Sequence, residues 1–489
     1  MKLLWESLAR TANAFPEKPA MVEEGLTLTY AELLRATTAM VTLLRREGLR
    51  PADTAAIQVP HSIDGAVAVL AVIRIGATVL VLDPSLKQQE VARCCAKAGA
   101  GLYIGGRDEQ VVPPPDGGVR RVVVPEAATL IGEARPSADL QALRAGANPG
   151  ESSYLLLSSG TTGPPKLVHR PPGAMEAAAR IHSSRFGYGP ADRTLAMLPF
   201  CHSFGLGNVL LGTLAFGGTL VLAPFSPRQT AAMVERERIT VLPATPFMFH
   251  MLADTVFHKR PDFSSVRLAA AAGSALSPAI AAKFGERFGV GISESYGATE
   301  TGPVSLAGPE LSAVAGCLGK PYAGVEVQIW DASEARLGPG EPGQIVVKSP
   351  AAASSYLGEP EASAAKFRRG FVLTGDSGYL DEAGNLFVTG RMKPMVSVGG
   401  KKVSPAEVEA CLRSHPRVAE ALVVAGGGED GTEWVKALVV ALGEVTAAEL
   451  RAHCAERLAA FKVPREVVFV DSLASGLMHK PVGAPPDPA

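Results

Sequence analysis

At 489 residues the chain is too long for one compact core, and its length points to about two to four folding units. Hydrophobic residues at 47% and charged residues at 19% exclude the disordered and fibrous classes. The 47 Lys and Arg nearly balance the 48 Asp and Glu, so charge alone gives no hold on nucleic acid or an anionic membrane.

From the N-terminus, Lys2 is followed by a short apolar run and then Glu6, a start too short and too acidic for a secretory leader. The most apolar stretch, Val67–Leu82, carries Arg74 and Gly76 and predicts a helix followed by a buried strand, not a membrane span. Short β-type runs recur at Thr54–Val59, Ala77–Leu82, Tyr154–Leu157, Thr194–Leu198, Thr219–Leu222, Thr240–Pro243 and Val266–Ala270, with helical segments between them. That alternation predicts α/β layers with largely parallel strands. From about Gly324 to Gly390 the texture changes to strands and turns, which predicts a more antiparallel section.

After Arg391 the order strand, helix, strand, strand, helix, strand predicts a separate small unit. Ser404 caps its first helix, Pro405 takes the first helical position, and Glu407 is placed to close a capping box. Thr446 and Glu449 open the second helix in the same way. Gly426–Gly431 reads as a Gly-rich mobile loop, and residues 481–489 are too rich in proline to pack. The six cysteines, Cys94, Cys95, Cys201, Cys317, Cys411 and Cys454, show neither a CxxC pair nor metal-like clustering with histidine. A reduced, cytoplasmic chain is the expectation. Cys201 reads as packing, with no base beside it to make it a nucleophile.

The strongest local signal is an apolar strand running into Ser158, Ser159, Gly160, Thr161, Thr162, Gly163, Pro164, Pro165 and Lys166. Such a loop aims backbone N–H groups and hydroxyls at phosphate oxygens, with Lys166 adding charge. The Walker spacing is absent, and taken alone the segment reads equally as a flexible turn. Three more pieces follow in order: Glu294-Ser295-Tyr296-Gly297-Ala298-Thr299-Glu300, then Thr374-Gly375-Asp376, then Gly390-Arg391-Met392-Lys393.

Together these motifs resemble the adenylate-forming superfamily of acyl- and aryl-CoA synthetases, luciferases and peptide-synthetase adenylation domains. The resemblance runs from Gly25 to Lys480. It implies a large N-terminal α/β domain over 1–391 that holds ATP and the acid, with layered subdomains and a β-rich section. A hinge at 392–393 around Lys393, a small α+β lid over 394–480 and a tail over 481–489 follow. The resemblance makes Lys480, Thr162 and Glu300 catalytic, with Glu300 holding Mg²⁺, and places the loop Ser158–Lys166 on the ATP phosphates. By the same resemblance Gly273, Ser274, Ala275, Glu294, Ser295, Tyr296 and Gly297 bind ATP, with Tyr296 stacked on the adenine and Glu294 facing its amino group, while Thr299 meets the α-phosphate and Asp376 and Arg391 take the ribose. An aromatic face suits adenine, a carboxylate suits two ribose hydroxyls, and Mg²⁺ suits carboxylate and phosphate oxygens.

The same resemblance gives an acid pocket of His202, Ser203, Phe204, Gly207, Ala272 and Gly297, and a thiol tunnel lined by Gly399, Gly400 and Lys401. The Gly-Gly pair reads equally as a hairpin turn. His202 stands where amino-acid-activating relatives carry an aspartate that pairs with the substrate ammonium, so free α-amino acids are disfavoured. Small residues at Gly205–Gly207 and Ala270–Gly273 are expected to leave room for a ring or a medium chain. Four residues depart from the family pattern: Leu167 for a glycine, Pro394 after the hinge, and Met478-His479 before Lys480. The implied activity is ATP-dependent acid activation to acyl-AMP and transfer to a thiol, with CoA or a carrier-protein phosphopantetheine as acceptor. A non-catalytic nucleotide-binding relative is the rival from another class.

Overall fold

Helix Ile63–Ile75 is apolar around its whole circumference, as a helix enclosed between two layers must be. Ser62 caps its start by accepting from the Gly65 N–H, and Gly76, at φ 85°, ends it in the left-handed region where glycine costs nothing. Its one cation, Arg74, is buried and lies over the Trp5 ring at 5.4 Å. Strand Thr78–Val81 follows, so the apolar stretch reads out as helix then strand.

The computed structural model describes residues 2–106, 119–133, 152–158, 165–391, 396–428 and 432–470. The chain divides into two compact units. The larger takes Met1–Pro84, Val91–Ser158 and Leu167–Met392; the smaller takes Ser85–Glu90, Ser159–Lys166 and Lys393–Ala489.

Among the described residues the larger unit holds a nine-stranded sheet, a seven-stranded sheet and a five-stranded one. In the nine-stranded sheet Pro19–Glu23, Thr219–Leu222, Arg193–Ala196, Val241–Ala244, Leu268–Ala271 and Ile292–Ala298 are neighbours in that order and all parallel. The seven-stranded sheet runs parallel through Arg120–Val123, Ala100–Gly105, Thr54–Gln58, Thr78–Val81 and Tyr154–Ser158. Helices Tyr30–Arg46 and Ile63–Ile75 share one apolar core with residues of both sheets, among them Met21, Leu220, Ile57 and Val79. The third sheet is antiparallel throughout, built on Glu326–Trp330, Gly343–Lys348, Phe371–Leu380 and Leu386–Arg391.

In the smaller unit the hairpin Val396–Val398 and Lys401–Val403 precedes helix Pro405–Arg413, strands Val418–Gly427 and Glu433–Ala441, helix Ala447–Arg457 and strand Glu466–Phe469. Val403, Val408, Leu412, Val435 and Leu450 meet in its core. Thr446 and Glu449 form the full reciprocal box. At the first helix only half forms: Ser404 accepts from the Glu407 N–H at 3.4 Å, but the Glu407 carboxylate accepts from Lys462 Nζ at 3.0 Å instead of turning back to the cap. Gly426 and Gly427 are strand, not loop, paired with Trp434 and Glu433, and any side chain at Gly426 would collide with the Trp434 ring. Residues 429–431, the hinge 392–393 and the tail 481–489 lie outside the described residues.

Candidate active site

Strand Tyr154–Ser158 ends at a buried hydroxyl, Ser158 Oγ, that has no hydrogen-bond partner among the described residues. An orphaned buried hydroxyl costs about 1–3 kcal/mol, which a phosphate oxygen beyond the strand end would offset. Ser159, Gly160, Thr161, Thr162 and Gly163 lie outside the described residues, and Lys166 opens the next strand.

Strand Ile292–Ala298 carries Glu294, Ser295, Tyr296 and Gly297 in succession. Its pairing with Gly302–Ala307 slips between Tyr296 and Gly297, a bulge that re-aims the side chains around it. The Ala298 N–H donates to Thr301 Oγ1 at 3.0 Å, closing the turn that carries Thr299 and Glu300. The Tyr296 hydroxyl donates to Asp376 Oδ2 at 2.6 Å, so two motifs far apart in sequence meet directly. Asp376 is buried on Phe371–Leu380, and its register partner on the adjoining strand is Arg391. Glu300 is buried as well, with Oε1 accepting from the Tyr356 hydroxyl at 2.7 Å. Burial, and next the Glu300 carboxylate, push the Tyr356 phenol far above its ordinary range, so it stays protonated and can donate.

Glu294 turns toward the loop Ala272–Leu276 and accepts from the Leu276 N–H at 2.8 Å. Burial pushes its carboxyl up to about 7, with that hydrogen bond opposing the rise. The loop holds Ala272, Gly273, Ser274 and Ala275, and Gly273 sits at φ +100°, a conformation that L side chains rarely adopt.

His202 and Ser203, which the family resemblance assigns to the acid pocket, lead into a π-helix, Phe204–Gly212, a form found often at functional sites. Ser203 Oγ accepts from Arg170 Nη1 at 2.7 Å, and Arg170 Nη2 donates to the Ala351 carbonyl. Arg170 is 0% exposed, and burial pulls its guanidinium down to about 10 against the opposing charge of Glu300. His182 faces Phe204 at 5.6 Å and Tyr322 at 5.7 Å between ring centroids. Burial, and next the Arg170 charge, hold its imidazole down at about 3, so it is neutral.

Several expectations change here. The space beside Gly205 is filled by the Leu198 and Pro199 carbonyls, and a side chain at Gly207 would meet Met175 Cε at 2.9 Å. On the side where a Cβ would stand, both glycines admit neighbouring protein. One cysteine does cluster with a histidine: the Cys201 sulfur, His202 and the buried Asp83 offer ligand atoms within 4.8 Å of one another. Asp83 has no counterpart near them in sequence, which hid the cluster. Gly399 and Gly400, at φ 57° and 86°, form the two-residue turn of the Val396–Val403 hairpin. Lys393 and Lys480 lie outside the described residues. Arg170, His182 and Tyr356 escaped the sequence reading, because lone residues inside apolar runs carry no local signature.

The chain matches the AMP-binding enzyme family over residues 8–357 and the AMP-binding enzyme C-terminal domain over residues 407–475. It is 32% identical to the 4-chlorobenzoate–CoA ligase of Arthrobacter sp, over 97% of this chain and 92% of that protein. An o-succinylbenzoate CoA synthetase structure from Bacillus subtilis, bound with a product analogue, aligns with a TM-score of 0.84 at 29% identity, covering 96% of this chain and 95% of that one. The amide bond synthetase of Marinactinospora thermotolerans aligns with a TM-score of 0.81 at 28% identity, covering 95% of this chain and 96% of that one. With nearly the whole length matched, and the motif residues gathered as described, this chain belongs to the AMP-binding enzyme family.

Proposed function

We propose that the protein is an AMP-forming acid–thiol ligase. A carboxylate oxygen attacks the α-phosphorus of ATP, the bond to the bridging β-phosphate oxygen breaks, and pyrophosphate leaves acyl-AMP behind. A thiolate sulfur then attacks the acyl carbonyl carbon, AMP leaves, and a thioester results. The observation that carries this reading is the 2.6 Å contact between Tyr296 and Asp376, which joins an adenine-stacking ring to a ribose-binding carboxylate. Arg391 adds a cation on the ribose side, the Ser158–Lys166 loop binds phosphate oxygens, and Lys480 bridges the acid and the α-phosphate as charge builds.

Glu300 fits a hard cation, because Tyr356 fixes one carboxylate oxygen and thereby orients the other. Bound there, Mg²⁺ supplies neutralising charge for the pyrophosphate oxygens. The names of two relatives, a 4-chlorobenzoate–CoA ligase and an o-succinylbenzoate CoA synthetase, support CoA as the thiol and an aryl acid as the substrate class. A second reading, transfer to an amine, is supported by the likeness to an amide bond synthetase.

The test is pyrophosphate release over a panel of substituted benzoates, aliphatic acids and α-amino acids. Each active acid is then offered CoA, a holo-carrier protein and simple amines, with products separated by chromatography. Release stimulated by an aryl acid and a CoA thioester as product are expected. Stimulation best by an α-amino acid, or acyl transfer to carrier or amine but not to CoA, would overturn the corresponding half.

A further inference from the structure

Strand Thr78–Val81 of the seven-stranded sheet runs out through Leu82 to Asp83, which is buried. The backbone there is fixed: the Asp83 carbonyl accepts from Gln58 Nε2 at 3.1 Å, and Gln58 Oε1 accepts from the Tyr103 hydroxyl at 2.8 Å. Cys201 and His202 come from the other large sheet, in a turn that follows strand Arg193–Ala196. The His202 N–H donates to the Pro199 carbonyl at 3.2 Å, and the His202 carbonyl accepts from the Leu206 N–H at 2.9 Å. Two segments remote in sequence, each held by its own hydrogen bonds, thus bring a carboxylate, a thiol and an imidazole together.

The three ligand atoms lie within 4.8 Å of one another, with Asp83 and Cys201 buried and His202 exposed. A shared Zn²⁺ would stand about 2.0–2.3 Å from each donor, so the triangle has to contract by about 1 Å, a step within reach of side-chain rotation. Thiolate and imidazole suit a borderline-soft cation, and three protein ligands leave the fourth tetrahedral position open. Mg²⁺, which prefers oxygen ligands in an octahedron, is selected against. One carboxylate and one thiolate also balance a dication, so the buried side of the site carries no net charge when filled.

We propose that Asp83, Cys201 and His202 form a binding site for a borderline-soft divalent cation, Zn²⁺ above all, and that its occupation inhibits the enzyme. As the sulfur–metal bond forms, Cys201 gives up its proton to solvent, and His202 binds through a neutral ring nitrogen. An occupied site takes the His202 imidazole away from the acid. The inhibition rests on the acid-activating function proposed above; the binding does not.

The experiment titrates the full chain, freed of metal, with Co²⁺ as a spectroscopic probe and with Zn²⁺ by calorimetry. One equivalent of Co²⁺ should give a thiolate-to-cobalt charge-transfer band in the near ultraviolet, and Zn²⁺ should abolish it by displacement. Cys201→Ala should lose the band, whereas Cys317→Ala, which removes another buried thiol, should keep it. Asp83→Asn should weaken Zn²⁺ binding by at least about tenfold, the loss that removing even an outer partner of a metal site brings. With Mg²⁺ in excess, Zn²⁺ should inhibit pyrophosphate release by the wild type, while Cys201→Ala releases as well as the wild type and resists inhibition. Should Cys201→Ala fail to fold, Cys201→Ser carries the same tests. A wild type without the charge-transfer band, or a band that survives substitution of Cys201, overturns the site. Binding that leaves release unchanged overturns the inhibition. No release with any acid in the absence of Zn²⁺ would overturn the activation reading instead, and the spectra would still decide the site.

Discussion

Among the motif residues of the large unit three buried polar groups find protein partners, and one, Ser158 Oγ, finds none among the described residues. Tyr296 meets Asp376, Tyr356 meets Glu300 and Glu294 meets the Leu276 N–H, at 2.6, 2.7 and 2.8 Å. On the acid side Asn208 keeps both ends of its amide unpartnered among the described residues, and so does Nε of the enclosed Arg170. The first arrangement is set before any ligand arrives, which suits a step every family member performs. The second leaves buried groups without a protein partner among the described residues, which is costly unless something else pairs with them.

The comparison breaks first at Lys480. Lys480→Ala should lower pyrophosphate release by about a thousandfold while leaving thiol transfer from preformed acyl-AMP nearly unchanged. Near-wild-type release would remove the charge partner from the nucleotide side altogether. Next is Arg170→Met, which strands the Ala351 carbonyl and Ser203 Oγ and should cost about 2–4 kcal/mol, read as a lower urea midpoint. An unchanged midpoint would mean that the acid side is not under polar strain.

Glu294 gives the third test, through pH. Its folded carboxyl lies at about 7 against an ordinary 4.5, so the folded state holds the proton more tightly than the unfolded state. Stability is then fullest below the unfolded value, falls as pH rises through the interval, and is flat above the folded value, a span of at most about 3 kcal/mol. Glu294→Gln keeps an acceptor for Leu276 and removes the titration. The variant should outlast the wild type in urea at about pH 8, with the advantage shrinking toward about pH 5. A constant difference across that range would place the carboxyl elsewhere on the scale. The smallest effect is expected from Tyr356→Phe, which frees Glu300 Oε1 and should raise the Mg²⁺ needed for half-maximal activity about tenfold with little change in KM for the acid. A KM shift alone would argue against a role through Glu300.

Where a signal is local, it could be read in the sequence. Thr219–Leu222 is a strand with the bounds its β-branched run predicts, and Thr446 with Glu449 closes the box that spacing predicts. Ser404 and Glu407 show where locality ends, since Lys462, remote in sequence, draws the carboxylate away from the cap. The nucleotide motifs were legible because each is a short contiguous run, though the direct contact of Tyr296 with Asp376 was not. The acid wall was the least legible part. Phe204–Gly212 is apolar enough to suit any buried helix, and no composition signals a π turn. Gly205 and Gly207 read as open space in the sequence, whereas the Pro199 carbonyl and Met175 stand where their side chains would be.

The widened turn of Phe204–Gly212 makes that wall sensitive to chain length as well as to chemistry. A π turn holds one more residue than the α-helix it interrupts, and its hydrogen bonds skip accordingly. Removing a single residue before Asn208 would let the segment close as an ordinary α-helix. Because the residue removed is the extra one that the π turn accommodates, side chains beyond the cut would keep nearly their facing, while those within the turn would draw closer together. One three-nucleotide deletion would thus narrow this wall without altering the identity of any residue that remains, a change that comparing aligned positions one by one would not reveal.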